Sequence, residues 1–370
     1  MTIPVTVLLF IKATADSEIE KLVSDAQCAV ALDTLDKLKT IPEIGEIVVA
    51  TPSKEFATQV APLGVRVETD RVDENFHWGK TLARLVEKYR ARAPLYIGGG
   101  SGGLMSAEDW RAIAQRVAHQ TGIVVTNNFY SADFAAWSPG DALNQIEPPS
   151  LDNDLAFRLG ERAKLHVEAL NKNAATQLDI DTPNDLLTIG LHPAVGKHLR
   201  AFLDRAQLDT SRVNQTQSRM ASRSSHLLIA GRVSASMALF LERATPCQWR
   251  IFSEERGMRA SGRDERGLVR SLLGFHLDNV GATEFFDMLA NLGDAAILDS
   301  RVLFAHRHLR PTAPDRFYSD LLEPELIRDP WIKEFTQAAR HAAIPILLGG
   351  HSLVSGGMYA LAESTSKNSH

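Results

Sequence analysis

The sequence predicts an α/β protein, with a mainly parallel sheet in a first domain and a second α/β domain after it. Three observations carry this expectation. Short apolar runs recur without polar alternation, as strands covered on both faces do. Stretches of helical periodicity separate them. Glycine clusters follow the apolar runs, at GGGSGG (98–103) and GGHS (349–352).

In chain order, VTVLLFI (5–11) reads as a strand and DAQCAVALDTLDKLKTI (25–41) as a helix. EIVVAT (46–51), VRVETD (65–70), PLYIGGG (94–100) and GIVVTNNF (122–129) read as further strands. KEFATQVAPLG (54–64), HWGKTLARLVEKYRA (77–91) and SAEDWRAIAQRVAHQT (106–121) read as the helices between them. TSRVNQTQSRMASRSS (210–225) is polar and reads as a linker or mobile loop. Beyond it, HLLIAGRVSAS (226–236) is a strand with a glycine turn. A helix is expected over 264–280, another over 282–293, a strand over 294–306, and a last strand with its glycine loop over 344–357. The expected domains are 1–195 and 226–362, joined by a connecting helix and polar linker over 196–225, with a disordered tail at 363–370.

Composition narrows the function classes. The 370 residues are 44% hydrophobic and 23% charged, as in ordinary globular chains. A net charge of -5 and a pI near 6.2 give no general pull toward nucleic acid or an anionic membrane, so neither is an expected partner. Cys28 and Cys247 show no metal spacing and read as reduced thiols of a cytoplasmic protein. The N-terminal run lacks the basic segment and cleavage site of a signal peptide. No run approaches the roughly 18 apolar residues of a membrane span.

The loop GGSGG (99–103) fits G-x-S-x-G, the elbow that presents a nucleophilic serine in hydrolases. That elbow requires the helix to begin at the serine. Ser106 followed by Asp109 has the pattern of a capping box, which places the helix start later and leaves Ser101 in a loop. The other readings are a plain chain turn and a backbone that a ligand approaches closely. An echo recurs downstream: Pro94, Gly98-Gly99 and Ser101 match Pro345, Gly349-Gly350 and Ser352 in offset.

The strand, glycine turn and LMSAEDW (104–110), followed by QLDIDTPNDLLTI (177–189), resemble the MobA-like and 2-phospholactate-guanylyltransferase-like nucleotidyltransferases over about residues 1–190. The second stretch resembles that superfamily's closing motif, D-[IV]-D-T-P-x-D-L. The resemblance implies a Rossmann-like, GT-A-type sheet in the first domain. It also implies transfer of a nucleotidyl group from a nucleoside triphosphate to a small phosphorylated or hydroxylated acceptor, with Mg²⁺ as cofactor. The sequence departs from the family in two places. Ser101 stands where the family carries a metal-binding aspartate, with Gly103 in the proline position, and FIKATADSE (10–18) replaces a glycine-rich opening loop. A binder of nucleotide or sugar phosphate without turnover, and a hydrolase using Ser101, are the alternatives.

Such chemistry needs cations and backbone N–H groups on the triphosphate, and carboxylates on a divalent ion. Asp179 and Asp181 lie two apart on extended chain and face one side, which suits a shared cation. The competing reading has Asp181 capping the helix that opens at Pro183, with Asp185 in its first turn. Gly98, Gly99, Gly100, Ser101 and Gly102 are the loop expected against base or phosphate. Lys12 and Lys80 are candidate phosphate contacts. Asn127, Asn128 and Asp133 sit after a strand and suit sugar or base recognition, or an Asx turn. Asp152, Asn153 and Asp154 precede a helix, so capping or ligand binding fits them, and Asp154 is a candidate ligand contact. Arg256, Arg259 and Arg263 lie in a glycine-punctuated segment, expected as a loop to about Arg263 and helix from Asp264, able to bind an anion. His351 and Ser352 are candidate contacts from the second domain. His306-x-His308 on a strand, with Asp299, is a zinc reading.

Overall fold

Among the described residues, the apolar runs become eleven strands in two sheets. The structure is a computed structural model describing residues 3–69 and 76–367. The chain forms two units. The first comprises Met1–Ala15, Ser24–Asp179 and Ala194–Phe202, and the second Asp16–Val23, Ile180–Pro193 and Leu203–His370.

The first unit holds β1 (Val5–Phe10), β2 (Ile44–Ala50), β3 (Arg66–Glu68), β4 (Ala93–Gly98), β5 (Ile123–Thr126), β6 (Phe134–Ser138) and β7 (His166–Ala169). Their order is β3-β2-β1-β4-β6-β5-β7. β1 pairs parallel with β2 and β4, β2 with β3, and β5 with β7, while β6 runs antiparallel between β4 and β5. The expected Rossmann-like, mainly parallel sheet is therefore present. Side-chain alternation sends Val5, Val7 and Leu9 to one core with Trp110 and Ile113, and Leu8 to another with Leu82 and Leu85. A strand feeding two cores is apolar at every position, which is why these runs show no alternation. The helix Lys197–Ala206 joins this unit through Asp33. The Asp33 carboxylate, only 4% exposed, accepts from His198 N and Leu199 N, both at 2.9 Å.

The second unit holds β8 (His226–Gly231), β9 (Gln248–Ser253), β10 (Ala295–Asp299) and β11 (Ile346–Gly349). All pair parallel, in the order β11-β10-β8-β9. Their core packs Phe285, Phe286, Phe304 and Phe335 against Leu228, Leu298 and Leu348.

Four expectations in the second half are corrected. The segment taken as a linker contains the helix Ser211–Met220, with Val213, Thr216 and Met220 buried. Those positions recur at helical spacing inside an otherwise polar sequence. The strand expected over 294–306 ends at Asp299, and Ser300–His306 is a helix whose every residue is buried. A helix buried all round carries no periodic signal and reads as a continued strand. The helix expected from Asp264 begins only at Leu272. Before it, Gly257, Gly262 and Gly267 take φ of +72°, +65° and +64°, so left-handed turns recur every five residues and no helix can run through. The expected disordered tail instead begins as the end of the helix Met358–Lys367, and residues 368–370 lie outside the described residues. Among the described residues, no helix is long and apolar enough to cross a membrane.

Candidate functional site

In the first unit the strand order reverses between β1 and β4, and ligands of open parallel sheets bind outside the carboxyl ends at such a point. Gly98 closes β4 there, and its N–H donates to the Asp133 carbonyl at 2.9 Å. The chain then turns: Ser101 N donates to Gly98 O at 3.1 Å. The Ser101 hydroxyl donates to the Gly98 carbonyl at 2.8 Å and lies 3.3 Å from the Asp133 carbonyl. Ser101 is 3% exposed and forms an antiparallel bridge with Asp179. The two motifs read separately in the sequence thus meet at this edge.

The glycines are explained largely by the protein itself. A Cβ on Gly99 would stand 2.9 Å from three atoms of Ile11. Gly102 sits at φ +68°, and a Cβ there would run into the Trp110 ring. Lys37 Nζ donates to Gly103 O at 3.0 Å and fixes the far side of the loop. Ser106 and Asp109 form the expected capping box, so the helix begins at Ala107. These facts correct the hydrolase reading: the Ser101 hydroxyl is turned toward backbone carbonyls, and the helix starts beyond it.

Beneath the loop lies a cluster that the sequence does not reveal. The Tyr96 hydroxyl donates to Asp152 Oδ2 at 2.7 Å. Burial, then the charges of Asp152, Asp133 and Asp179, hold the phenol well above its ordinary pKa. Burial also pushes the Asp152 carboxyl up. Phe10 and Trp78 pack on the Tyr96 ring, with centroids 5.5 and 4.9 Å away. Asn127, 2% exposed, donates to Asp133 Oδ2 at 2.6 Å and to Thr176 O at 3.1 Å, and its own carbonyl accepts from Asp133 N at 3.0 Å. It positions Asp133 rather than facing solvent. Asn128 closes an Asx turn onto Tyr130 N at 3.1 Å. Asp154 is exposed and pairs with Arg158 at 3.3 Å, one turn along the same helix. Lys12 and Lys80 are exposed, Lys80 in the first turn of Trp78–Lys88.

In the second unit, the closing motif opens the helix Pro183–Gly190. Its cap is Thr182 with Asp185, not Asp181. Asp185 Oδ2 accepts from Asp181 N, Thr182 N, Thr182 Oγ1 and Ser352 Oγ at 3.0, 2.7, 2.9 and 2.9 Å. Burial, aided by the Asp181 charge, raises the Asp185 carboxyl from its ordinary 3.8 to about 7. The folded chain therefore holds a proton that the unfolded chain releases between about pH 4 and 7. Stability falls as pH rises through that window, by at most ~1.4 kcal/mol per unit, and levels off above it. Asp185→Asn is expected to flatten this slope in urea melts run from pH 5 to 7.5. An unchanged slope would show that Asp185 titrates normally.

The zinc reading is corrected. His306 lies in the helix Ser300–His306, where Nδ1 accepts from Ser271 N at 3.1 Å and Nε2 faces Asp278 at 3.3 Å. Asp299 is engaged by Arg232 at 2.5 Å. Among the described residues, no three His, Cys, Asp or Glu side chains converge as a metal-binding group. Arg263 is also committed, with two bonds to Glu255 at 3.0 and 2.7 Å.

No family model and no curated protein sequence matches the chain. Solved structures similar to it include a cytidylyltransferase from Leptospira borgpetersenii, at 12% identity and a TM-score of 0.40, over 55% of this chain and 95% of that one. A nucleotidyl transferase from Methanothermobacter is similar at 15% identity and a TM-score of 0.40, over 55% and 99%. A CMP:2-keto-3-deoxy-manno-octonic acid synthetase complexed with CTP is similar at 11% identity and a TM-score of 0.37, over 55% and 99%.

Proposed function

We propose that the first unit binds a nucleoside triphosphate at the β1/β4 edge and transfers its nucleotidyl group to a small phosphorylated or hydroxylated acceptor. The observation that carries this reading is the bridge between Ser101 and Asp179, which joins the glycine loop to the closing motif at the point where the sheet order reverses. The charges of Asp152, Asp133 and Asp179 all act on Tyr96, so the edge favours a cation rather than a bare anion.

The donor set fits a magnesium ion better than a caged metal. Mg²⁺ is commonly held by one or two carboxylates, with substrate phosphates and water completing its shell. Asp179 and Asp133 would hold it here, where it would neutralise charge on the phosphates. Asn127 fixes the Asp133 carboxylate, and the Tyr96 hydroxyl engages Asp152. Lys12, just past β1, would meet the triphosphate in solvent.

Ser101 supports a second reading, a nucleotide or sugar-phosphate binder without turnover, because a neutral hydroxyl that is 3% exposed is a far weaker cation donor than a carboxylate. One experiment separates the two. In a thermal-shift panel, a nucleoside triphosphate with Mg²⁺ is expected to raise Tm, and Asp179→Asn to abolish the shift. Release of pyrophosphate with an acceptor assigns the transferase, and a shift without release assigns the binder. No shift by any nucleotide or sugar nucleotide, with or without Mg²⁺, sinks both.

A further inference from the structure

The second unit has its own point of reversal, independent of the first. In the order β11-β10-β8-β9 the chain direction of assembly switches between β8 and β10, and the crevice lies at their carboxyl ends. Arg232 follows β8 directly, Asp299 ends β10, and the turn from Gly349 to Ser352 follows β11. The helix Ala235–Ala244 begins at the same edge, capped by Ser234, and its dipole adds positive potential there.

This edge carries more cationic charge than its carboxylates neutralise. Arg232 and Asp299 form one buried pair, with bonds of 2.5 and 3.0 Å. Arg301 and Asp320 form another, at 2.8 and 2.5 Å. Three arginines remain. Arg256 is exposed and forms no ion pair among the described residues. Arg259 reaches only Asp264, at 3.9 Å, and Arg310 holds that carboxylate more closely at 3.1 Å. Arg316 has a buried Nε without a hydrogen-bond partner among the described residues.

The arginines act on one another. Burial, then Arg301 and Arg259, lower the Arg316 pKa and outweigh the opposing charges of Asp320 and Glu20. Burial, then Arg232, with Arg256 and Arg259 adding to it against the opposing charge of Asp299, brings His351 from 6.5 down to about 4. His351 is exposed.

We propose that this edge of the second unit binds a phosphoryl-bearing small molecule, with Arg256, Arg259 and Arg316 as its direct contacts. Guanidinium forks match phosphate oxygens two at a time, and a dianion answers a surplus of several cations where a single carboxylate does not. The buried Arg232–Asp299 and Arg301–Asp320 pairs hold the walls. The site does not depend on nucleotide binding by the first unit.

The test is calorimetric titration of the full chain at low salt with inorganic pyrophosphate, inorganic phosphate and malonate. Saturable binding of pyrophosphate or phosphate, with malonate at least tenfold weaker, is expected. Pyrophosphate tighter than phosphate points to a diphosphate ligand, and the reverse to a monoester. Arg256→Ala with Arg259→Ala lies in exposed turns and is expected to weaken binding at least tenfold. Arg316→Gln is a second variant, and Arg243→Ala on the exposed face of Ala235–Ala244 controls for net charge. In NMR titrations, the His351 ring is expected to protonate at higher pH once the anion is bound. No saturable binding, unchanged affinity in the arginine variants, or binding that Asp179→Asn removes and the arginine variants keep, overturns the proposal.

Discussion

Replacing Asp299 with alanine is expected to remove about 3–5 kcal/mol of stability from the second unit. Asp299 is 2% exposed, and the Arg232 guanidinium donates to both of its oxygens. Burial pushes the carboxyl up, but Arg232 pulls it below its ordinary pKa, so the pair is ionic when folded. Asp299→Ala leaves a guanidinium with nothing to compensate it in a place from which water is largely excluded. The cost belongs to that stranded charge more than to the lost bonds. Arg232→Met with Asp299→Leu replaces the pair by apolar volume and is expected to recover most of the loss. Urea melts followed by circular dichroism decide it. A loss below 1 kcal/mol, or a double variant as unstable as the single, would show that the pair is not the anchor of this edge.

Gly102→Ala is expected to cost about 2–5 kcal/mol in the first unit. Two effects add. A residue with a Cβ pays roughly 1–2 kcal/mol in the left-handed region. The new methyl also presses on Trp110, which is fully buried, and overpacking typically costs about 1–3 kcal/mol. Gly122 separates the two effects. It has φ +77° with nothing within 4 Å of a built Cβ, so Gly122→Ala should show the backbone cost alone. Equal losses in the two variants, measured by urea midpoints, would mean that Trp110 yields without resistance.

Much of the first unit was legible because its strands are buried on both faces and therefore print unbroken apolar runs. The Ser106–Asp109 cap was legible because its chemistry is local. The meeting of Ser101 with Asp179 was not legible, because nothing in either stretch encodes the bridge. Tyr96 and Asp152 were not legible as a pair. They stand 56 residues apart and meet only through the register of β4. The glycine loop was read as a place for a ligand to approach, whereas Gly99 and Gly102 yield to Ile11 and Trp110. Such packing partners leave no mark near the glycines. In the second half, helices that are either polar or wholly buried hid their periodicity, and which arginines lack a carboxylate is decided by pairings, such as Arg263 with Glu255, that spacing does not encode.

The two hydrogen bonds on Asp33 also bear on how the chain is made. They span 165 and 166 residues, to His198 N and Leu199 N. On the ribosome, the helix Glu18–Leu38 is complete long before those partners are synthesised. A nascent chain paused before residue 198 carries an aspartate destined for burial with neither donor yet in existence. Between them lies Ile180–Pro193, which belongs to the other unit. Closing so long a loop late in synthesis is slow in the way that non-local contacts are slow. The unit that begins first along the message is thus not free to finish first.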